Sequence, residues 1–152
     1  MLLLNYFIKQ KKVVISDVDT RAVVRHIRDK GAMNAIISTA STDITELTQL
    51  LTKVPSMEGL ELSSSVCTKA PYFVGNEKAS KKVAVLDLGV KRNILKCLTD
   101  RDCYLQVFPM HTSYEEMKAW NPDGFFLSNG PGDPSAIPSV IEEVKKVTAD
   151  GK

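Results

Sequence analysis

The second half of the chain alternates short apolar runs with helical patterns, and this alternation constrains the fold more than any other feature. Residues 83–86 read Val-Ala-Val-Leu, a continuous apolar run typical of a strand that is buried on both faces. Alternating strands and helices predict an α/β fold with a parallel sheet and flanking helices. The remaining predicted elements are strands at 104–108 and 125–127 and helices at 90–100, 113–119 and 138–147. Ser113 and Glu116 predict a capping box at the start of the second of these helices.

The third predicted strand runs into a loop rich in glycine and proline, residues 127–134 with the sequence LSNGPGDP. Gly130 and Gly132 allow other groups to approach the main chain closely, while Pro131 and Pro134 stiffen the bend. In parallel sheets, ligands bind at the carboxyl ends of strands, where this loop falls. The loop therefore predicts a rigid receptor for an oxygen that carries or develops negative charge, although the same composition also suits a plain connector.

The first half of the chain has weaker patterns. Apolar runs at 13–15 and 35–37 predict strands, and helices are predicted at 21–30 and from about residue 43 to 54. Residues 71–81 carry no periodicity and are the predicted linker. The sequence thus predicts two regions, residues 1–70 and residues 82–152.

Composition limits the classes of function. The 152 residues are 43% hydrophobic and 25% charged, as in an ordinary soluble globular protein. A net charge of +2 is too small to indicate binding to nucleic acid or to an anionic membrane. No stretch approaches the ~20 apolar residues of a membrane helix. Three cysteines, with no C-x-x-C pair and no histidine spaced for zinc, predict a reduced, cytoplasmic protein with no metal site.

The histidines and cysteines are weak candidates for catalysis. His26 lies within a predicted helix among basic residues and is expected at the surface, and His111 lies in a loop beyond a strand end without a titratable neighbour in sequence. A nucleophilic cysteine is expected on a sharp strand-to-helix turn. Cys67, Cys97 and Cys103 lack that context, and we expect the last two to be buried.

Three other features have ordinary structural interpretations. Asp17 and Asp19 resemble a metal pair, but hard cations need several more oxygens, so capping and turn roles are favoured. Either Asp19 or Thr20 can cap the helix predicted at 21–30. Gly89 lacks the G-x-G-x-x-G spacing of a dinucleotide site. Trp120 is expected to be a buried anchor.

Five motifs occur in order along the chain. They are DVDTR at 17–21, KGAMN at 30–34, DLGVKRNIL at 87–95, NPDG at 121–124 and LSNGPGDP at 127–134. Together they resemble the small chain of glutamine-dependent carbamoyl-phosphate synthase, a class I glutamine amidotransferase. The glycine loop alone would indicate only the broader class, and the earlier motifs narrow the resemblance to this family.

The resemblance implies a role for each region. Residues 1–70 resemble the latter part of an N-terminal α/β domain that docks on the large chain, and residues 82–152 resemble the first half of the amidotransferase domain. In that family a Cys-His-Glu triad hydrolyses glutamine, and the ammonia passes to the large chain. The large chain then makes carbamoyl phosphate from bicarbonate and ATP for arginine and pyrimidine synthesis. ATP and Mg²⁺ are expected on the large chain, and no cofactor on this one.

The resemblance also assigns site residues. Gly130 and Gly132 match the loop positions that contact glutamine, and the Gly130 N–H matches an oxyanion-hole donor. The catalytic Cys, His and Glu of the family match no position here, so we expect an internal fragment that is inactive by itself. The strand at 125–127 would then lack a neighbour, which predicts self-association.

Three alternatives stay open at this point. The chain is also compatible with a fragment of another class I amidotransferase. A second alternative is a non-catalytic, flavodoxin-like module that uses the glycine loop to hold an anion or a phosphate. The third is an interaction module whose first region docks on a partner.

Overall fold

The computed structural model describes residues 3–151 and divides into two compact units, Met1–Met57 and Glu58–Lys152. The first unit contains helices α1 (Leu3–Lys9), α2 (Thr20–Lys30) and α3 (Ile44–Leu51). The second contains, in order, α4 (Ser63–Val66), β1 (Tyr72–Val74), β2 (Lys81–Asp87), α5 (Arg92–Thr99), β3 (Cys103–Pro109), α6 (Tyr114–Ala119), β4 (Gly124–Leu127), a 3-10 turn (Pro134–Ala136) and α7 (Pro138–Asp150).

The second unit is built on a four-stranded sheet with the order β1-β3-β2-β4. Strand β2 pairs in parallel with both β3 and β4, which confirms the predicted α/β fold with a parallel sheet. Strand β1 adds an antiparallel edge through its pairing with β3. Because β2 lies between two neighbours, residues 83–86 are paired on both sides and their side chains are covered on both faces of the sheet.

The continuous apolar run in β2 is explained by burial on both faces of the sheet. Ala84 and Leu86 face a cluster formed with α6 and α7, whereas Val85 packs with Leu95 of α5 and with β3. Residues 84–86 are at most 1% exposed. A strand with helices on one side only would instead alternate apolar and polar residues.

Several helix boundaries agree with the predicted caps. The Asp19 carboxylate accepts a hydrogen bond from the Ala22 N–H at 2.9 Å, and Gly31 ends the same helix with a φ of 88°. Asp43 caps α3 in the same way. Ser113 and Glu116 form a capping box at the start of α6. These ends are predictable because each cap depends on side chains within three residues of the helix.

The strands predicted at 13–15 and 35–37 are wrong, because neither segment is a strand in the structure. Val13 and Ile15 are 75% and 58% exposed. A strand needs a neighbour for its N–H and C=O groups, and residues 3–57 provide no neighbouring strand. Apolar composition therefore does not lead to sheet formation here.

The linker predicted at 71–81 contains β1, which is hydrogen-bonded into the sheet. Residues 58–70 also belong to the sheet-containing unit, so the units divide after Met57 and not at a segment beyond residue 70. Contacts between residues far apart in sequence hold this segment, as between Gly59 and Asp133. Local composition does not encode such contacts.

The predicted burial of Cys97 is also wrong, because Cys97 is exposed on α5. It lies two residues after the buried Leu95 and therefore points to the opposite side of the helix. Cys103 begins β3, as predicted, but is only half-buried because it lies at the first position of the strand. Trp120 is half-buried, and His26 is exposed. No helix within residues 3–151 has the length and apolar character needed to cross a bilayer.

Candidate functional site

A cavity of about 270 Å³ opens at the carboxyl ends of β2 and β4. Its volume lies just below the ~300–1,000 Å³ of sites for drug-sized ligands and suits a molecule the size of an amino acid. Its walls are formed by residues 128–134 of the glycine loop, by the turn after β2 and by the segment that leads into α4. The lining residues are Glu61, Leu62, Ser63, Leu88, Ser128, Asn129, Gly130, Pro131, Gly132, Asp133, Pro134 and Ile137.

Ser128 fixes the start of the glycine loop. Its N–H donates to the Leu86 carbonyl at 3.1 Å, which continues the pairing of β4 with β2 by one more residue. Its buried hydroxyl accepts a hydrogen bond from the Leu88 N–H at 2.8 Å and donates to the Asn129 carbonyl at 3.0 Å. One side chain thus joins the loop to the turn after β2.

Gly130 packs against that turn so closely that no side chain fits. A Cβ atom at this position would lie 2.1 Å from the Leu88 carbonyl oxygen and 2.7 Å from the Ser63 hydroxyl. Both distances are far shorter than a van der Waals contact, and the nearer atom belongs to the backbone, which has little freedom to move. Glycine is therefore required at position 130 by packing alone.

Gly132 forms the contact between the loop and the segment before α4. It adopts a φ of +92°, a conformation that other residues rarely take, and a Cβ atom there would lie 2.4 Å from the Leu60 carbonyl oxygen. It pairs in an antiparallel bridge with Glu61, in which the Asp133 N–H donates to the Leu60 carbonyl at 2.9 Å. The bridge therefore attaches this part of the loop to the segment before α4.

Three backbone donors of the loop remain available for a ligand. Within residues 3–151, the hydrogen bonds of the loop use the N–H groups of Ser128 and Asp133, and none uses the N–H of Asn129, Gly130 or Gly132. Both glycines line the cavity. Rigid, unused N–H groups beside a cavity can bind an oxygen that carries partial or full negative charge.

Two carboxylates line the same cavity. Asp133 accepts hydrogen bonds from the Gly59 N–H at 2.8 Å and from Ser135, and these hold its pKa below its ordinary value. The hydroxyl and the N–H of Ser64 likewise lower the pKa of Glu61. No lysine, arginine or histidine is among the described residues that line the cavity. Its electrostatic character is therefore acidic, apart from the backbone donors of the loop.

Comparisons with known proteins agree with the resemblance found in the sequence. The family model of class I glutamine amidotransferases matches residues 84–152, and that of the carbamoyl-phosphate synthase small chain, CPSase domain, matches residues 1–37. The carbamoyl phosphate synthase small chain of Chlorobaculum tepidum is 42% identical over 135 residues, covering 89% of this chain and 37% of the relative. The small chain of Neisseria meningitidis serogroup A is 38% identical, covering 97% and 43%.

The chain belongs to the carbamoyl phosphate synthase small-chain family. The small chain of Clostridium acetobutylicum is a further relative, 39% identical over 145 residues and 95% of this chain. The chain spans about two fifths of the length of these curated relatives, between 37% and 43% for the three described here.

Asp87 supports the cavity of this small-chain family member, a role that the sequence analysis did not assign. Its carboxylate is buried at the end of β2 and accepts hydrogen bonds from the N–H groups of Gly89, Val90 and Thr68, each at 2.8 Å. It thereby fixes the turn on which Gly130 packs. The sequence did contain a signal for this role, namely an acidic residue that ends an apolar run and stands two positions before a glycine.

The cysteines and His111 belong to the sheet-containing unit but are not lining residues of the described cavity. Cys67 is buried in the core that includes α6 and α7, Cys97 is exposed on α5, and Cys103 begins β3. His111 is exposed after β3 and lies close enough to Glu61 to contribute to the lowering of its pKa. None of these four side chains lines the described cavity.

Proposed function

We propose that the cavity is part of a glutaminase site in which the glycine loop binds the side-chain amide of glutamine. In this proposal Gly130 and Gly132 contact the substrate, and the N–H of Gly130 is an oxyanion donor. The observation that carries the proposal is that Gly130 and Gly132 line the cavity at the carboxyl end of the parallel sheet, while their N–H groups take part in none of the hydrogen bonds of residues 3–151. The match to the class I glutamine amidotransferase family supports glutamine as the ligand.

The loop would act on the charge that develops during hydrolysis. Attack on the amide carbon of glutamine turns the carbonyl oxygen into an oxyanion, and a fixed N–H stabilises that state more than the substrate. Loss of one such donor typically lowers kcat by about 10²–10³-fold. The loop is suited to this role because packing on Leu88 and Leu60 fixes both glycines before any ligand binds.

We further propose that the 152-residue chain does not hydrolyse glutamine by itself. Formation of a thioester needs a thiolate beside the oxyanion donors, and neither a cysteine nor a histidine lines the described cavity. In this proposal the attacking Cys and its His and Glu partners are not residues of this sequence. The chain would contribute binding and polarisation of the amide, which retain only a small part of the catalysis.

The proposed biological context is that of the family. The relatives are named small chains, which supports a large chain as the partner of this protein. In the proposal, the large chain binds ATP and Mg²⁺ and uses the ammonia to make carbamoyl phosphate for arginine and pyrimidine synthesis in the cytoplasm. The region that matches the CPSase domain, residues 1–37, would belong to the part that docks on this partner.

The charge of the cavity disfavours the phosphate-binding alternative. Phosphate sites combine backbone N–H groups with lysine or arginine, whereas this cavity carries two carboxylates. Glutamine has no net charge, and its reacting amide is neutral, so it avoids that repulsion. The match of residues 1–37 to the small-chain CPSase domain favours carbamoyl-phosphate synthase over other class I amidotransferases.

Substitution of Gly130 by alanine tests the proposal. Glutamine is titrated into the isotopically labelled chain while the amide NMR signals of Gly130 and Gly132 are followed. We expect both signals to shift in the wild type and binding to be lost in Gly130→Ala, because the new Cβ would lie 2.1 Å from the Leu88 carbonyl oxygen.

Gly124→Ala is the matched control for this experiment. Gly124 begins β4, the strand that leads into the loop, and a Cβ there would meet nothing within 4 Å. This variant should bind glutamine as the wild type does. Wild-type signals at the two loop glycines that stay unchanged at saturating glutamine would contradict the proposed function.

A further inference from the structure

Glu61 lines the cavity beside the glycine loop. The backbone of Glu61 pairs with Gly132 in the antiparallel bridge, so the two residues are held next to each other. The same cavity is therefore lined by an acidic residue and by both glycines of the loop.

Ser64 fixes this carboxylate without using all of its acceptor capacity. The Ser64 N–H donates to Oε1 at 2.8 Å, and the Ser64 hydroxyl donates to Oε2. A carboxylate offers about four acceptor positions, so both oxygens can accept a further hydrogen bond. The two bonds also keep Glu61 charged, since they hold its pKa below the ordinary value of 4.5.

Asp133, the other carboxylate of the wall, is committed to structure. One of its oxygens accepts from the Gly59 N–H, and the other accepts from both the N–H and the hydroxyl of Ser135. These bonds join the loop to the segment before α4 and cap the 3-10 turn. The described hydrogen bonds of the Glu61 carboxylate, by contrast, come from the short helix α4 and do not join separate parts of the cavity wall.

We infer that Glu61 binds the α-ammonium group of the amino acid whose amide the glycine loop holds. This assignment rests on the proposed function and makes Glu61 the residue that distinguishes an amino acid from a simple amide. An ammonium group supplies the positive charge and the N–H donors that a fixed carboxylate requires. A charge-assisted hydrogen bond of this kind corresponds to a preference of about tenfold or more.

The test compares L-glutamine with 4-carbamoylbutanoate, which has the same amide and carboxylate but no ammonium group. Dissociation constants are measured for the full chain from the shifts of the Gly130 and Gly132 amide signals. We expect the wild type to favour glutamine by about tenfold or more. In Glu61→Gln this preference should fall towards unity through weaker binding of glutamine, with the affinity for the analogue unchanged.

Glu116→Gln is the matched control. Glu116 also accepts hydrogen bonds from a serine, Ser113, and its pKa is also lowered, but it lies outside the described cavity. This variant should keep the preference for glutamine. A second readout needs no substitution, because the carboxyl carbon signal of Glu61 should shift with glutamine and not with the analogue.

The outcomes separate this inference from the proposed function. If both ligands shift the loop signals but the wild type shows no preference, or Glu61→Gln retains it, Glu61 does not bind the ammonium and the glutaminase proposal stands. An unshifted Glu61 carboxyl signal during glutamine binding would likewise overturn the inference. If neither ligand shifts the loop signals, the proposed function fails and the inference fails with it.

Discussion

At the scale of single residues, the site depends on Ser128 as much as on the glycines. Its hydroxyl accepts from the Leu88 N–H and donates to the Asn129 carbonyl, so one atom serves two backbone groups. Ser128 is only 5% exposed, so bulk solvent has little access to these two backbone groups. The residue holds the turn that contacts Gly130.

Ser128→Ala should therefore destabilise the chain more than removal of a surface hydroxyl. A buried N–H without an acceptor costs about 1–3 kcal/mol in the free energy of unfolding. Ser139, exposed at the start of α7, is the control position, and Ser139→Ala should change stability by less than ~0.5 kcal/mol. Urea denaturation of both variants measures the difference, and equal stabilities would contradict this role for Ser128.

At the scale of elements, the capping box of α6 predicts a dependence on pH. The N–H and hydroxyl of Ser113 donate to Glu116 and lower its pKa. A carboxyl group whose pKa is lower in the folded state stabilises the fold above its unfolded pKa, and this contribution is lost as pH falls through the folded pKa. The stabilisation should therefore be present at neutral pH and decline below about 4.5, the ordinary value for Glu116.

Glu116→Gln tests this dependence. Urea midpoints measured between neutral pH and about pH 3 should fall less steeply for this variant than for the wild type, because the side chain introduced at position 116 does not titrate. Glu115→Gln on the same helix is the control, since Glu115 is exposed and forms no cap. The decline will not vanish, because Glu61, Asp102, Asp133 and Glu143 also have lowered pKa values. Parallel pH profiles for all three proteins would contradict the prediction.

The elements also show what the sequence could predict. Caps such as Asp19 and the Ser113–Glu116 pair depend on side chains within three residues, and both predictions were confirmed. The parallel strands were predictable because burial on both faces leaves a continuous apolar run. The segments at 13–15 and 35–37 have a similar apolar character but no neighbouring strand within the described part of their unit, so composition alone was misleading.

The lining of the cavity shows the same division. Gly130 and Gly132 were singled out from the sequence by the composition of their loop, and both line the cavity. Glu61 and Ser128 were not singled out, because their contacts join distant parts of the sequence. The Glu61–Gly132 bridge joins residues 71 positions apart, and the Ser128–Leu88 hydrogen bond joins residues 40 apart. A pattern within one short window cannot show such pairs.

At the scale of the whole molecule, the described sheet ends at β4, whose outer edge has no neighbouring strand within residues 3–151. The strand has four residues, and Leu127 on it is 38% exposed. An unpaired edge with an apolar side chain favours pairing with another chain. The other edge strand, β1, has only three residues and offers fewer hydrogen bonds. We therefore expect self-association through β4.

Leu127→Lys tests this expectation, because a lysine on an edge strand opposes edge-to-edge pairing. Light scattering over a range of concentrations should show that the wild type forms dimers or larger species and that Leu127→Lys shifts the population towards the monomer. Ile141→Lys is the matched control. Ile141 is also 38% exposed, but it lies on the helix α7 and not on an edge strand. A wild type that stays monomeric at all concentrations would contradict the expectation. Equal effects of the two lysines would show that association depends on exposed apolar surface in general and not on the edge of β4.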